Sequence, residues 1–253
     1  MKGILQDLTT TEFFVQNLEY LETPQYLRKT LFPRSPALRF AGLMNPLDAP
    51  HHLRANEWNA YREGCVIRRP VKDNKGSWVN IGISKQDCQV DLQVQEGTRV
   101  TVKLNEDDFN WNARYYTGKV VGQNEPFEKT GTYWGYQVRV AHSISEVFEE
   151  CPYDGGYDLK VGDSRQNGDV LDFIDFQKYQ GFKHALVFFG GLTGIEGLVE
   201  DLETDENLKA SGIRELFDEY VNTCPEIGSR SLRTEESVLM SMGALMPNLR
   251  AAG

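Results

Sequence analysis

The sequence predicts an α/β protein that carries a β-rich insertion, and three observations lead there. Apolar residues at helical spacing open the chain and return toward its end. Between them, roughly 75 residues alternate apolar and polar positions, the two-residue period of strands. The run "KHALVFFGG" (183–191), apolar throughout and closed by glycines, reads as a strand buried on both faces of a parallel sheet. We expect residues 1–63 and 141–253 to form one discontinuous domain, with residues 64–140 budding from it as a second.

The elements follow in order. "TEFFVQNLEYL" (11–21) sets Phe14, Leu18 and Leu21 on one helical face. Thr23 is a good N-cap and Pro24 suits a first helical position, so a fresh helix is expected there. "ALRFAGLMNPLDAPHH" (37–52) reads as a short buried strand stopped by Pro46, then a Pro-rich loop. From Gly64, "SWVNIGI", "TRVTVKL" and "YWGYQVRV" alternate as strands, with turns at "KDNKG" and "NEPFEKTG". Five or six such strands suggest a small barrel or sandwich. Its aromatic residues (Trp78, Trp111, Tyr115, Tyr116, Tyr133, Trp134, Tyr136) either fill that barrel or stack on bases, and filling is the favoured reading. After Ala141, Ser143 and Glu146 form a capping box. "IRELFDEYV" places Ile213, Leu216, Phe217 and Tyr220 on one helical face, after an acidic surface loop at 203–212. A last helix opens near Thr234, with Glu235 and Glu236 in its first turn.

Composition narrows the function classes. The chain is 40% hydrophobic and 25% charged, as in ordinary globular proteins. It has no apolar run long enough for a membrane helix, and no secretory signal is expected at its start. Cys65, Cys88, Cys151 and Cys224 are scattered, which argues against a structural zinc site and for reduced thiols in cytosol or nucleus. His51 and His52 are adjacent and project apart, so chelation by the pair is not expected. The net charge is −10, but the acidic excess falls within residues 141–253, whereas 64–140 hold more Lys and Arg than Asp and Glu. That division permits a polyanionic partner without requiring one.

Three glycine-bearing loops follow predicted strands: "VGDSRQNGD" (161–169), "FFGGLTGIEG" (188–197) and "NTCPEIGSR" (222–230). In open α/β sheets ligands settle where such loops converge. None matches a phosphate-loop motif or contains a lysine, which weighs against a nucleotide-phosphate enzyme. Cys224 is followed directly by Pro225 with no histidine near in sequence, so a packed or ligand-lining thiol is favoured over a nucleophile. Arg230 and Arg233 either bind an anion or pair with Glu235 and Glu236.

"GSRSLRTEE", "FFGGLTGIEG", "TPQYLRKTLFP", "LMNPLDAPHHLR", "YREGCVIRRP" and "TGTYWGYQVRVA" together resemble one branch of the SPOUT methyltransferases. This is the archaeal and eukaryotic branch with an OB-like barrel insertion, whose animal members are associated with centromeres. The resemblance runs from about Leu18 to the C-terminus. It implies an α/β fold with a trefoil-knotted C-terminal part, S-adenosyl-L-methionine as methyl donor and a homodimer with the site near its interface. It further implies RNA as substrate, with N3 of a uridine in large-subunit (28S-type) ribosomal RNA as acceptor. Nucleus, nucleolus and cytoplasm are the implied locations, with spindle or kinetochore partners in mitosis. Members of the branch begin with a strand–helix–strand unit ahead of the helix at 11–21, and that unit is expected to be missing here.

Carried over by position, the resemblance assigns Gly191 and Gly194 as backbone contacts to the donor. It assigns Asn222, Thr223 and Gly228 to the donor's adenosine and methionine parts. The first loop in the family reads Gly-Thr-Ser-Glu-Arg-Gly, so Arg165 takes the arginine's part if the loop shifts by one. Arg28, Lys29, Arg34, Arg68 and Arg69 are the candidate RNA-phosphate contacts. No metal is implied, and no catalytic residue is assigned beyond Arg233, a weak candidate for orienting the base. The alternative is a methyltransferase-like scaffold without turnover that binds RNA or spindle and centromere partners.

Overall fold

The first helix, α1 (Thr10–Glu22), begins where the Thr9 hydroxyl accepts the Glu12 N–H and the Glu12 carboxylate accepts the Thr9 N–H. The structure, a computed structural model, describes residues 9–71, 75–84, 86–106, 110, 113–201 and 212–253. These divide into two units, 1–140 and 141–253.

In the first unit, sequence and structure part at several places. Phe14 and Leu18, which set the helical period of α1, are 57% and 41% exposed, whereas its buried residues are Asn17 and Glu22. Asn17 is buried because its amide donates to the carbonyls of Phe13 and Ala37. Thr23 closes α1 instead of opening the next helix: its hydroxyl donates to the Glu19 carbonyl. Helix α2 (Gln25–Leu31) therefore starts after Pro24. Residues 37–52 form no strand. Ser35 accepts the Ala37 N–H and, with Pro36, sets a 3-10 turn at Pro36–Leu38, which a second turn at Ala41–Leu43 follows.

Five strands then close into a barrel: β1 (Tyr61–Ile67), β2 (Trp78–Ile83), β3 (Gln86–Gln89), β4 (Arg99–Leu104) and β5 (Tyr116–Val121). Around it the order is β1–β2–β3–β5–β4, antiparallel except where β3 meets β5. Val79, Ile81, Cys88, Val102, Leu104 and Tyr116 fill the interior. β1 crosses β2 so closely that a Cβ on Gly64 would lie 2.3 Å from Val79 Cγ1, so only glycine fits. "NEPFEKTG" is not a bare turn: it contains α3 (Glu125–Thr130), closed by Gly131 at φ 68°. "YWGYQVRV" is not a strand either, because its groups bond elsewhere. The Trp134 indole donates to Glu63 and the Tyr136 hydroxyl to the Leu18 carbonyl. Trp78, Tyr116 and Trp134 are buried, which favours the filling role; Tyr115 and Tyr133 are exposed. Trp111 lies outside the described residues.

A polar seam fastens α1 to the barrel. Arg99 bonds Glu22 at 2.5 Å and Glu63 at 2.7 Å, and Thr101 also donates to Glu63. His51 and His52 do not project apart as expected but turn their Nε2 atoms to one acceptor, the Glu22 carbonyl, at 2.8 and 2.6 Å. A carbonyl oxygen only accepts, so both rings carry their proton on Nε2.

The second unit is built on a four-stranded parallel sheet of β6 (Leu159–Asp163), β7 (Asp169–Val170), β8 (Ala185–Phe189) and β9 (Glu219–Asn222), in the order β7–β9–β6–β8. Helix α4 (Ile144–Glu149) opens at Ser143 as expected, its hydroxyl accepting the Glu146 N–H. β8 is half-buried along its whole length, not buried on both faces, because among the described residues it pairs only with β6. Residues 213–221 make a 3-10 turn at Ile213–Leu216 and then β9, not one helix. Parallel pairing with β6 and β7 takes up that backbone, while Ile213, Phe217 and Tyr220 remain buried. They pack with Ile144 and with Ile195 of α5 (Gly194–Asp201). A second cluster joins Leu159, Val161 and Val221 to Leu245 and Leu249 of α6 (Thr234–Ala252), the last helix, which starts as expected. Of the acidic stretch 203–212 only Gly212 is described.

Candidate functional site

Because β6, β8 and β9 are parallel, their carboxyl ends lie along one edge of the sheet, and the three glycine-bearing loops leave from that edge. Asp163 ends β6 there and is 6% exposed. Its carboxylate accepts hydrogen bonds from Ser237 at 2.8 Å and Thr223 at 3.2 Å, and Thr223 and Ser241 share a third at 2.7 Å. Ser237 and Ser241 stand four residues apart on α6, so one face of that helix supplies both. Burial raises the Asp163 pKa, and the hydroxyl bonds and the charge of Arg165 only partly offset it, so the carboxyl stays above its ordinary range.

A second carboxylate behaves in the opposite way. Glu196, in the first turn of α5, accepts from the Ser164 hydroxyl at 2.5 Å and the Asn167 amide at 2.9 Å. Burial pushes its pKa up, but these bonds and its own backbone N–H outweigh that, and the group is held low.

The glycines of the middle loop have distinct tasks. A Cβ on Gly190 would meet the Gly194 carbonyl carbon at 2.1 Å, so the turn closes backbone on backbone. Gly191 has nothing within 4 Å of the same position. It lines a cleft together with Asp163, Arg165, Leu192, Glu196 and Leu232. The enclosed space is about 30 Å³, room for about one water, so a larger ligand enters only when the loops part.

The structure brings Arg165, Gly191 and Gly194 together on that cleft. Arg165 reaches across to the Arg230 carbonyl at 3.3 Å and so straps the first loop to the third. Asn222 and Thr223 brace the loops from within. The Asn222 amide donates to the Arg165 carbonyl, and its oxygen accepts the Cys224 N–H. Gly228 lies in an exposed turn with open surroundings. Arg233 is exposed at the start of α6, where its backbone N–H donates to Glu236, and it is not among the cleft's lining residues. Cys224 is half-buried, with Sγ 3.7 Å from the Thr223 hydroxyl. Sequence reasoning missed Asp163, Glu196, Ser237 and Ser241. The available signals were an acid at a strand's carboxyl end and two serines at helical spacing.

The basic candidates fall in the first unit. Arg28 is held inward: it donates to the carbonyls of Leu21 and Thr23 and covers the Tyr20 ring at 4.6 Å. Arg28, Lys29 and Arg34 border one groove of about 1130 Å³. Arg68 is exposed elsewhere, beyond the end of β1, and Arg69 is paired with Asp87 at 3.0 Å and stacked on Trp78 at 3.9 Å.

With this geometry in view, comparison with known proteins gives the family. The family model described as "Putative RNA methyltransferase" matches residues 5–245, which include all three loops and the barrel. The chain belongs to this RNA methyltransferase family. It is 48% identical over 236 residues to a human protein named 28S rRNA (uridine-N(3))-methyltransferase, covering 93% of this chain and 60% of that protein. Relatives of the same name from mouse and fruit fly are 47% and 44% identical, with 59% and 46% of their lengths covered. The chain thus spans about 60% or less of the length of these relatives. Within the family alignment the cleft and the basic groove fall inside the matched residues.

Proposed function

We propose that the cleft between the 163–168, 190–194 and 223–233 loops binds S-adenosyl-L-methionine, and that the protein methylates N3 of a uridine in large-subunit ribosomal RNA. The observation that carries this reading is the convergence of three strand-end loops on a glycine-walled cleft, in a chain whose human, mouse and fly relatives bear that activity in their names. The residues suit the donor by their chemistry. Gly191 leaves backbone open to approach, Leu192 and Leu232 offer apolar walls, and Asp163 and Glu196 set negative charge beside the space. When bound, the donor supplies an electrophilic methyl group on a positively charged sulfonium. The chain's own part is to hold and orient: Arg165 and Asn222 lock the loops to one another, and Thr223, Ser237 and Ser241 fix the Asp163 carboxylate. Positioning of this kind lowers a methyl-transfer barrier by several kcal/mol without a covalent intermediate.

The finer reading extends this to a SPOUT fold with a trefoil-knotted C-terminal part, in which residues 1–63 and 141–253 form the methyltransferase domain and the barrel is an OB-like insertion. Homodimerisation at the cleft, a nuclear and cytoplasmic location and spindle partners belong to the same reading. The five-stranded barrel and the non-sequential strand order of the second unit support it. A second reading, a scaffold without turnover, is favoured by one observation, the small volume of the cleft.

Calorimetric titration with S-adenosylmethionine separates the two. Saturable one-site binding is expected, and its absence from a folded sample would leave the scaffold. Incubation of the protein with donor and an unmodified 28S-type ribosomal RNA fragment, followed by nucleoside mass spectrometry, is expected to yield 3-methyluridine. A methyl group at any other atom would overturn the assignment of the acceptor.

A further inference from the structure

The groove in the first unit carries a function that the donor cleft does not explain. Lys29 and Arg34 border it together with Arg39, and no Asp or Glu is among its described lining residues. Among the described residues none of these three cations has a carboxylate partner. Four acids of the same segment are engaged elsewhere, and Glu19 and Asp48 are not among the described lining residues. Glu12 caps α1, Glu22 and Glu63 hold Arg99, and Glu57 accepts the Arg54 N–H. A chain with a net charge of −10 therefore keeps a local surface whose described lining carries positive charge and no carboxylate. Charge left unpaired in this way attracts a polyanion.

Aromatic faces lie among the charges. Tyr20 and Phe32 line the groove; Phe40 is outside its lining but stands directly after Arg39, which does line it, and is 62% exposed with the Arg39 guanidinium 5.1 Å from its ring. Cations that meet phosphates, interleaved with rings that meet bases, are the parts of a single-strand nucleic-acid platform. The volume of about 1130 Å³ exceeds the usual small-molecule range and suits a stretch of polymer.

We infer that this groove is the seat of a single-stranded RNA segment, with Lys29, Arg34 and Arg39 on its phosphates and Phe40 stacked on a base. The inference rests on the proposed methylation reading for its choice of RNA and of strandedness. Uridine N3–H is the group that donates in an A–U pair, so a target uridine is unpaired when it reacts, and its flanking nucleotides are presented as single strand.

The test uses fluorescence anisotropy of a labelled oligouridylate 12-mer with the full chain, in parallel with S-adenosylmethionine calorimetry on the same samples. The wild-type chain is expected to bind the single strand more tightly than an RNA duplex of equal length. The Lys29→Ala/Arg34→Ala/Arg39→Ala variant removes only exposed side chains and is expected to keep its circular dichroism and its donor affinity. It should bind the oligonucleotide at least about tenfold more weakly. Its plot of log affinity against log salt should be shallower by about 2, three phosphate contacts at roughly 0.7 each. Phe40→Ala should weaken binding about fivefold or more with the salt slope unchanged. Equal affinity of wild type and triple variant, equal or tighter binding of duplex, or competition by polyglutamate as strong as by RNA would each overturn the groove assignment. Those outcomes leave the donor reading standing, because donor binding is read separately; loss of donor binding with the groove results intact would do the reverse.

Discussion

Arg99 and Asp163 are opposite solutions to burying a charge. Arg99 satisfies two buried carboxylates at once, and among the described residues neither Glu22 nor Glu63 has another Lys or Arg partner. Arg99→Ala leaves both acids buried without their cation, Glu63 with only Thr101 and Trp134 and Glu22 with only His51, so it should lower unfolding free energy by about 3–5 kcal/mol in urea titration. Burial works to raise the Glu22 pKa, yet the bonds from His51 and Arg99 win and hold it low. Its stabilising share is thus present above the ordinary carboxylate pKa and is lost as pH falls through the depressed value, and the barrel seam should be acid-labile. Asp163 has the reverse sign. Its pKa is raised above the ordinary 3.8, so its favourable share is whole below that value and is lost as pH rises through the raised one. Asp163→Asn should therefore flatten the decline in stability of the second unit from acid toward neutral pH, followed by thermal melting. It should also weaken S-adenosylmethionine several-fold more than S-adenosylhomocysteine, which lacks the sulfonium charge. Neither role was legible in the sequence. Asp163 lies in the first glycine-bearing loop, but what marks it is burial against Ser237, a residue 74 positions away.

At the scale of elements, the loops were legible and several of the segments around them were not. Glycines at 190, 191 and 194 after an apolar run marked a strand-end turn, and the turn is there. What sequence could not divide was the labour within it. Gly190 faces the backbone of Gly194 and Ile195, whereas Gly191 faces open space. Gly190→Ala should cost about 1–3 kcal/mol through overpacking. Gly191→Ala should melt within about 0.5 kcal/mol of wild type, yet lower donor affinity, because its methyl group enters the space beside the cleft. Paired melting curves and calorimetry check both. Local patterning failed where long-range bonds decide the backbone. "YWGYQVRV" alternates like a strand, but Trp134 and Tyr136 are drawn to Glu63 and Leu18 instead. "IRELFDEYV" has helical spacing, but β6 and β7 claim its second half as β9. The apolar face of α1 shows the converse, a period that formed its helix without being buried.

On the scale of the whole molecule, the barrel and the parallel sheet divide the chemistry by charge and by connectivity. The basic groove and the strands that close locally lie in residues 1–140, the acidic cleft proposed for the donor in 141–253. In the barrel, β1 pairs with β2 and β2 with β3, so short hairpins seed it. In the sheet no strand pairs with its neighbour in sequence: β6 joins β8 and β9, and β7 joins β9. That order sets a clock. Every pairing in the sheet must close a long loop first, and such topologies fold in milliseconds to seconds where local ones are faster. All four tryptophans (58, 78, 111 and 134) lie in the first 140 residues and report on that half alone. After dilution from urea, tryptophan fluorescence should recover first and the capacity to bind S-adenosylmethionine last, measured by stopped-flow fluorescence and by timed donor capture. The cleft is then a late product of folding, assembled only when β9 has found β6, and on the proposed assignments a newly made chain would be able to hold RNA before it is able to hold a methyl donor.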